Sequence, residues 1–469
     1  MLFPTVDFGL FFLVVFAVSW ALARFNGARK HFLLAASYVF YGCWDWRFCG
    51  LLALNALINF AAGLAIERAQ SDERRRLIVV GAVAVNLLIL AVFKYLGWFL
   101  QSAHDVLQAV GLERDIPIID LVLPVGISFF TFQGISYVVD VYRRVIKAER
   151  SPLDVALYIS FFPQLVAGPI VRASDFLPQL KHAPRLTERD IGVGLTFILI
   201  GLFKKMIVAN YLATQFVDDV FFDPASHSAP TLLLAVYGYA VQIYCDFSGY
   251  SDIAIGVAAL LGFQFKANFN QPYRATGLQD FWRRWHISLS TWLRDYLYIP
   301  LGGSRGGTIF TYRNLMITML LGGIWHGAAW TFVIWGALHG GALVLERVFN
   351  LAKAAEAGVM TRSACVFATF HFVCFAWIFF RAEDLATALS FVGGLADFKE
   401  LSPDVSWFAL GLIFGSLAFQ FVRADLNDRV GIWLGCVAPI VRGVVFIAGL
   451  LAIQWLAPSG VAPFIYFQF

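Results

Sequence analysis

The sequence predicts an all-α, polytopic membrane protein, and composition and hydropathy carry that prediction. Of its 469 residues, 59% are hydrophobic and only 14% are charged, whereas soluble domains carry about 25% charged residues. Long apolar runs recur from one end of the chain to the other, which excludes a soluble domain with a single anchor. The runs are too long and too continuous for barrel strands, so each must satisfy its own backbone as a helix. We expect roughly ten to twelve spans of about twenty residues, with re-entrant or interfacial helices between them.

Five helices are predicted in the first part of the chain, over residues 6–22, 31–41, 51–66, 77–100 and 118–141. The loops after the first, third and fifth helices are basic, and the loop after the fourth is acidic. Because basic loops stay in the cytoplasm, this alternation places the N-terminus outside. The first run has no basic start and no clear small-residue cleavage site, so we interpret it as a retained helix rather than a signal peptide.

The next apolar run, over residues 157–171, is predicted to be broken. Pro163, Gly168 and Pro169 interrupt it, and a proline inside a helix removes a hydrogen bond and clashes with the preceding turn. Basic residues lie on both sides of the run. A re-entrant or interfacial element that enters and leaves on the cytoplasmic side therefore fits better than a clean span.

Six further apolar runs complete the chain, over residues 190–210, 232–263, 315–345, 365–380, 407–422 and 441–455. Three aspartates follow the first of these runs, in a loop that we interpret as outside, so the basic segment 283–313 falls on the cytoplasmic face. The run 315–345 is either one tilted helix or a broken pair, because it is longer than one straight span needs. The orientation of the C-terminal third stays open. The sequence has no internal repeat, so a single membrane domain over residues 1–469 is the simplest organisation.

Charge and cysteine usage exclude other classes of protein. The net charge of +4 is ordinary for a membrane protein with basic cytoplasmic loops, and nothing in the sequence indicates nucleic-acid binding. The cysteines lie in apolar runs without metal-ligand spacing or a disulfide framework, and we interpret them as buried, inert thiols: Cys43, Cys49, Cys245, Cys365, Cys374 and Cys436. We expect no metal and no bound cofactor.

Ionisable residues inside apolar helices are functional candidates, because each costs a few kcal/mol or more to bury. Gln242, Asp246 and Tyr250 are spaced four residues apart and share one helical face. Ser248 and Asp252 share another face in the same way. The pattern has two interpretations, a structural network of interhelical hydrogen bonds or the polar lining of a cavity.

His286 lies in a segment rich in tryptophan and arginine. Trp282 and Trp285 precede it, and the arginines are Arg283, Arg284 and Arg294. This spacing is typical of an amphipathic helix at the membrane surface, with its rings at headgroup level and its cations on anionic lipid. The alternative is a wall of an active site, in which the arginines meet an anionic donor.

His326 lies among apolar residues and glycine, with no acidic neighbour. Trp325 and Trp330 flank it, and Gly322 and Gly323 precede it by one turn, which leaves space for another backbone or a substrate. A desolvated histidine stays neutral and suits a general base; the alternative is a hydrogen-bonded core histidine. On a continuous helix His339 faces away from His326, so we assign it a structural role.

Six short motifs lie over residues 121–340: PVGISFFTFQ at 124–133, FPQLVAGP at 162–169, YCDFSGYSDIA at 244–254, NFNQPY at 268–273, FWRRWHISLS at 281–290 and GIWHG at 323–327. In this order they resemble the motifs of the membrane-bound O-acyltransferase family, in particular its bacterial branch of alginate O-acetyltransferase membrane subunits and D-alanyl-lipoteichoic-acid relatives. The match is dense over residues 121–340 and looser outside them.

The resemblance implies a ring of tilted helices around a tunnel through the membrane, with His326 as the presumed catalytic residue and His286 lining the same tunnel. The further candidate lining residues are Gln242, Asp246, Tyr250, Asp252, Ser290 and Trp325. The candidate donor-binding residues are Arg283, Arg284 and Arg294.

The resemblance also implies a reaction. An acyl group, most simply acetyl, comes from a cytoplasmic thioester, either acetyl-CoA or an acyl-carrier protein. It crosses the bacterial inner membrane to a periplasmic or membrane-anchored acetyltransferase partner that modifies a polysaccharide such as alginate. The alternatives are D-alanyl or other acyl transfer to a cell-wall polymer, a lipid or a protein. A proton-coupled transporter with Asp246, Asp252 and His326 as its relay is the alternative of another class.

Overall fold

The computed structural model describes residues 1, 3–112, 121–351, 358–397, 402–458, 460 and 464–465. These residues form helices and no β-strand, which confirms the all-α prediction. They group into two compact units, one of Met1–Arg185 with Leu261–Phe263, and one of Leu186–Leu260 with Gln264–Phe469. The prediction of a single domain over residues 1–469 stays a prediction.

The first unit contains eight helices among the described residues. They are α1 (Val6–Ala21), α2 (Asn26–Asp45), α3 (Cys49–Arg68), α4 (Asp72–Ala109), α5 (Ile127–Tyr142), α6 (Pro152–Ser160), α7 (Phe162–Leu165) and α8 (Ala173–Leu180). The break predicted within 157–171 is present between α6 and α7. The predicted helix over 118–141 begins only at Ile127, because Gly126 before it is left-handed, with φ of 75°, and cannot belong to a right-handed helix. Residues 118–120 lie outside the described residues.

The second unit begins with a long helical segment, Glu188–Phe222. It consists of α9 (Glu188–Leu202), a π-helical stretch (Phe203–Ala209), α10 (Asn210–Leu212), a second π-helical stretch (Ala213–Val217) and α11 (Asp218–Phe222). The prediction that this helix ends near residue 210, before an acidic loop, is therefore wrong. Asp218 is helical and its carboxylate lies 2.6 Å from the Arg381 guanidinium, an ion pair that stabilises an acidic residue inside a helical segment.

Helices α12–α21 follow in the described part of the second unit. They are α12 (Ala229–Leu260), α13 (Leu278–Trp282), α14 (Ile287–Leu293), α15 (Thr308–His326), α16 (Trp330–Val348), α17 (Val359–Arg381), α18 (Leu385–Gly394), α19 (Trp407–Phe419), α20 (Leu426–Cys436) and α21 (Pro439–Leu456). Of the two alternatives for 315–345, the broken pair is correct. The pair α15 and α16 packs closely, because Gly323 and Gly336 leave no side chain between the two backbones.

Five helical segments of the described chain are long and apolar enough to cross a membrane: Asn26–Arg68, Asp72–Ala109, Glu188–Phe222, Val359–Arg381 and Pro439–Leu456. Three shorter apolar helices accompany them. The polytopic class is thus confirmed, and the number of crossings stays a prediction. The expectation that the cysteines are buried holds for Cys245 and Cys374 and is wrong for Cys43 and Cys436, which are exposed, while Cys49 and Cys365 are partly exposed.

Candidate active site

His326 is the last residue of α15. The chain leaves the helix at Gly327, whose backbone is extended, and re-enters a helix at Trp330. The imidazole is 2% exposed and is enclosed by aromatic rings, with centroid distances of 5.0 Å to Trp325, 5.0 Å to Trp335 and 5.1 Å to Phe380. A helix end inside an aromatic cage thus presents this histidine in a desolvated position.

His286 lies between α13 and α14 in a left-handed conformation, with φ of 40°. The backbone N–H of the next residue, Ile287, donates to the Asn268 carbonyl at 2.8 Å, which holds the turn. The His286 side chain is 0% exposed, and its ring lies edge-on to Phe247 at 4.5 Å. Left-handed backbone is unfavourable for a residue other than glycine, and such strain is concentrated at functional positions.

The interpretation of this segment as one surface helix with its rings at headgroup level is wrong. The helix is interrupted at His286, and Trp282, Trp285 and Trp292 are buried inside the unit at 8%, 1% and 7% exposure. Trp285, for example, packs against Phe281, Phe269 and Trp377. The tryptophans therefore build the core of this unit instead of an anchor.

The two histidines share one aromatic neighbour. The Trp325 ring centroid lies 6.1 Å from that of His286 and 5.0 Å from that of His326. Residues far apart in the sequence are thus brought to a common indole in a region closed to solvent. This juxtaposition is the geometric centre of the candidate site.

His339 also reaches this region, because α15 and α16 are separate helices. Its ring lies 4.6 Å from Trp335, the residue that also contacts His326, and 5.3 Å from Trp282. The prediction that His339 faces away from His326 assumed one continuous helix, and it is wrong because the helix is broken. His339 is 0% exposed, and neither of its ring nitrogens has a hydrogen-bond partner among the described residues.

The aspartates of α12 are paired with two consecutive lysines of the π-helical stretch. Lys205 Nζ lies 2.5 Å from Asp246, and Lys204 Nζ lies 2.6 Å from Asp252. The Lys205–Asp246 pair is almost fully buried, with side chains 2% and 4% exposed. Neither partner lysine was predicted, since only the fold brings α12 and this stretch together. π-helical turns frequently occur at functional sites.

Asp246 also accepts a hydrogen bond from a described residue close to the C-terminus. The Ile465 backbone N–H donates to its carboxylate at 2.8 Å, while the Phe464 ring packs on Tyr250 at 4.5 Å and on Phe247 at 5.7 Å. Phe247 is the same ring that contacts His286. The described C-terminal residues therefore form part of the wall around the candidate site, which no sequence pattern indicated.

The remaining predicted residues are placed less centrally. Gln242 is buried on the same helix face as Asp246, and Ser290 lies one turn after His286, where its backbone N–H donates to the His286 carbonyl at 3.0 Å. Arg284 is ion-paired with Asp280 at 2.8 Å and Arg294 with Asp295 at 2.7 Å. Arg283 and Arg294 are both exposed. Because Arg283 has no carboxylate partner among the described residues, it is the arginine best placed to meet a diffusible anion.

Glu346 on α16 is a further residue that the sequence did not indicate. Its buried carboxylate accepts hydrogen bonds from the Leu278 and Gln279 backbone N–H groups, at 2.5 and 3.2 Å, at the start of α13. Gly277 permits this approach, because a Cβ there would lie 3.0 Å from the carboxylate. The contact ties the helix that follows His326 to the segment that carries His286.

Comparisons with known proteins identify the family of this chain. The model of the MBOAT family, the membrane-bound O-acyltransferases, matches residues 143–383. A probable alginate O-acetylase of Azotobacter vinelandii is 42% identical over 85% of this chain and 79% of its own length. A second one, from Pseudomonas putida, is 37% identical over the full length of both proteins. A peptidoglycan O-acetyltransferase of Helicobacter pylori is 38% identical over 80% of this chain and 75% of its own. The resemblance to this family is thereby confirmed, and an enzyme is supported over a transporter. The chain belongs to the membrane-bound O-acyltransferase family as a multi-pass membrane O-acyltransferase.

Proposed function

We propose that this enzyme transfers an acetyl group from a cytoplasmic thioester towards the outer side of the bacterial inner membrane, for O-acetylation of an exopolysaccharide such as alginate. The observation that carries the proposal is the convergence of His286 and His326 on Trp325 inside a buried aromatic region. The similarity to probable alginate O-acetylases supports the choice of acyl group and polymer.

In the proposed mechanism His326 is the general base. It removes the proton of an attacking hydroxyl as the oxygen forms a bond to the thioester carbonyl carbon, and the carbon–sulfur bond then breaks to release a thiolate. Positioned proton transfer of this kind contributes about 10²- to 10⁴-fold to a rate. His286 orients the attacking hydroxyl or polarises the thioester carbonyl. Gln242, Asp246, Tyr250, Asp252, Ser290 and Trp325 are the candidate lining residues of the tunnel.

The donor is proposed to be acetyl-CoA or an acyl-carrier thioester that approaches from the cytoplasm. Arg283 is exposed and is the first candidate for its phosphates, since a free guanidinium binds phosphate through paired hydrogen bonds. Arg284 and Arg294 would first have to give up their aspartates. In this orientation, which the loop charges predict, the N-terminus lies in the periplasm. A periplasmic or membrane-anchored acetyltransferase receives the acetyl group and passes it to the polysaccharide.

A cell-wall polymer is the second candidate acceptor. The similarity to a peptidoglycan O-acetyltransferase, which extends over 80% of this chain, favours it specifically. The two candidates share donor, base and direction of transfer, and they differ only in the polymer that finally carries the ester.

The proposal is tested by replacing His326 in cells whose own copy of the gene is deleted. His326→Ala and His326→Gln should each lower the ester-linked acetate of the secreted polysaccharide by at least about 100-fold, with normal amounts of protein in the membrane. His31→Ala is the control, because His31 is an exposed histidine of the first unit. Undiminished acetylation of both the secreted polysaccharide and peptidoglycan in His326→Ala cells would sink the assignment of His326. Loss of acetate from peptidoglycan alone would keep that assignment and decide for the second acceptor.

A further inference from the structure

The polar contacts of His286 converge on the side chain of Asn268. His286 Nδ1 lies 3.2 Å from Asn268 Oδ1. The same oxygen accepts hydrogen bonds from the Ser288 backbone N–H at 3.1 Å and from the Ser288 hydroxyl at 2.9 Å. At its other end, the Asn268 amide nitrogen donates to Ser251 Oγ on α12 at 3.2 Å. Asn268 is 1% exposed, so its amide is held from both ends in a buried position.

The Ser288 backbone fixes which end of this amide faces His286. The oxygen and nitrogen of an amide are nearly interchangeable in shape, and hydrogen-bond partners decide between them. A flipped Asn268 amide would place its NH₂ group against the Ser288 N–H, donor against donor. The backbone carbonyl of Asn268 also accepts a hydrogen bond from the Ile287 N–H at 2.8 Å, which holds Asn268 beside the turn that carries His286. Oδ1 is therefore the atom next to the imidazole.

That orientation determines where the imidazole carries its proton. An amide oxygen only accepts hydrogen bonds, so Nδ1 of His286 must be the donor. The Ser288 hydroxyl, 3.4 Å from Nδ1, donates its one hydrogen bond to Oδ1, so it presents a lone pair to the ring and also calls for a proton on Nδ1. In a neutral imidazole the lone pair then belongs to the other nitrogen, Nε2.

We propose that Asn268 is a positioning residue that holds His286 as the Nδ1–H tautomer, so that Nε2 accepts the hydrogen bond of the acceptor hydroxyl when the acceptor binds. The hydroxyl then turns its single proton to His326 as its oxygen bonds to the thioester carbon. This inference rests on the proposed function and chooses between the two roles of His286 in it. A nitrogen with a lone pair orients a hydroxyl group. Polarising the thioester carbonyl would instead require an N–H at the nitrogen that faces the substrate.

The tautomer is tested directly by nuclear magnetic resonance of isotope-labelled histidine nitrogens in the lipid-embedded protein, with the His286 signals identified by their loss in His286→Gln. We expect a protonated Nδ1 in the wild type and in Asn268→Asp, which retains an acceptor oxygen. Asn268→Leu, of similar size and without an acceptor, should populate the Nε2–H form. Ser251→Ala removes only the bond at the far end of the amide and should preserve the wild-type tautomer. An Nε2–H wild type, or an unchanged tautomer in Asn268→Leu, overturns the proposal.

Turnover separates positioning from simple support of the fold. With purified enzyme in proteoliposomes, acetyl-CoA as the donor and unacetylated alginate as the hydroxyl acceptor, Asn268→Leu should lower kcat for CoA release by about 10- to 100-fold and leave KM nearly unchanged. Asn268→Asp should recover most of that loss. Asn270→Ala is the matched control, because Asn270 is exposed in the same stretch. Equal losses in Asn268→Asp and Asn268→Leu overturn the proposal. With that acceptor present, a wild type that releases no CoA contradicts the proposed function, while the resonance experiment still decides the tautomer.

Discussion

At the scale of single residues, the ion pair of Lys205 and Asp246 near the candidate site is stable only while both charges are present. Both side chains are almost fully buried, and their charged atoms lie 2.5 Å apart. Burial removes most of the hydration that stabilises each charge, and their mutual attraction offsets that cost only while both partners are present. The Ile465 N–H adds a hydrogen bond to the same carboxylate. The pair therefore holds together α12, the π-helical stretch and the C-terminal end of the chain.

Removing one partner should destabilise the protein strongly. Lys205→Met leaves a buried carboxylate without its cation, which costs about 3–5 kcal/mol, and should lower the thermal unfolding midpoint of the detergent-solubilised protein. The double variant Lys205→Met with Asp246→Leu should recover most of the loss, because it leaves no unpaired buried charge at this position.

The control for this prediction is Arg429→Met. Arg429 and Asp425 also form a close ion pair, at 2.6 Å, but both are exposed, and exposed pairs contribute little because water screens them. Its unfolding midpoint should match that of the wild type. If Lys205→Met shifts the midpoint no more than this control does, the buried pair does not stabilise the fold.

The sequence predicted part of this arrangement for a local reason. Four-residue spacing places Gln242, Asp246 and Tyr250 on one helix face whatever surrounds the helix, and the structure has them on α12. The partners of the aspartates depend on which helix packs there, and that information is not local. The same holds for Asn268, whose contact with His286 depends on a turn that residue spacing does not indicate.

At the scale of helices, the close approach of α15 and α16 places His326. A Cβ on Gly336 would lie 2.5 Å from the Met319 carbonyl oxygen and 3.1 Å from Leu320 Cα. Backbone atoms cannot give way as the end of a flexible side chain can. Small residues at such crossings let helix backbones approach closely in membrane proteins.

Gly336→Ala should therefore separate the two helices, destabilise the protein by about 1–3 kcal/mol and lower acetylation. Gly341→Ala on the same helix is the matched control, since no atom of another described element lies within 4 Å of its added methyl group. Alanine favours the helix over glycine by about 0.5–1 kcal/mol, so this variant should be at least as stable as the wild type. Equal unfolding midpoints for the two variants would contradict the close packing.

Helix boundaries show where local patterns were sufficient. The apolar run over 232–263 predicted α12 closely, because a long uninterrupted run leaves the backbone no alternative to a helix. The segment around His286 has the composition of a surface helix, yet the Asn268 backbone holds it in a left-handed turn. The loop at 218–223 was predicted from charge alone. It is helical up to residue 222, because Asp218 forms an ion pair with Arg381, which is distant in the sequence. Both errors arise from long-range contacts.

At the scale of the whole molecule, the apolar surface of the long helices requires lipid around it. Helix α4 has 38 residues and is therefore about 57 Å long at 1.5 Å per residue, against roughly 30 Å for the hydrocarbon core of a bilayer. Leu77, Val80 and Leu88 are all more than half exposed along it, and only 22% of its 18-residue apolar stretch is buried. A surface of this kind is stable in a bilayer, and the surplus length lets the helix tilt or extend beyond the membrane.

The loop charges also predict the direction of α4. Its N-terminal end follows a basic loop and should lie in the cytoplasm, and its C-terminal end should lie outside. Ser71→Cys and Gln108→Cys place thiols at the exposed N-terminal cap and near the exposed C-terminal end of α4, in a chain whose own cysteines are replaced by serine. In intact spheroplasts a membrane-impermeant maleimide should label Gln108→Cys, and it should label Ser71→Cys only after permeabilisation. The opposite pattern would place the N-terminus in the cytoplasm, and it would also reverse the side from which the thioester donor must enter.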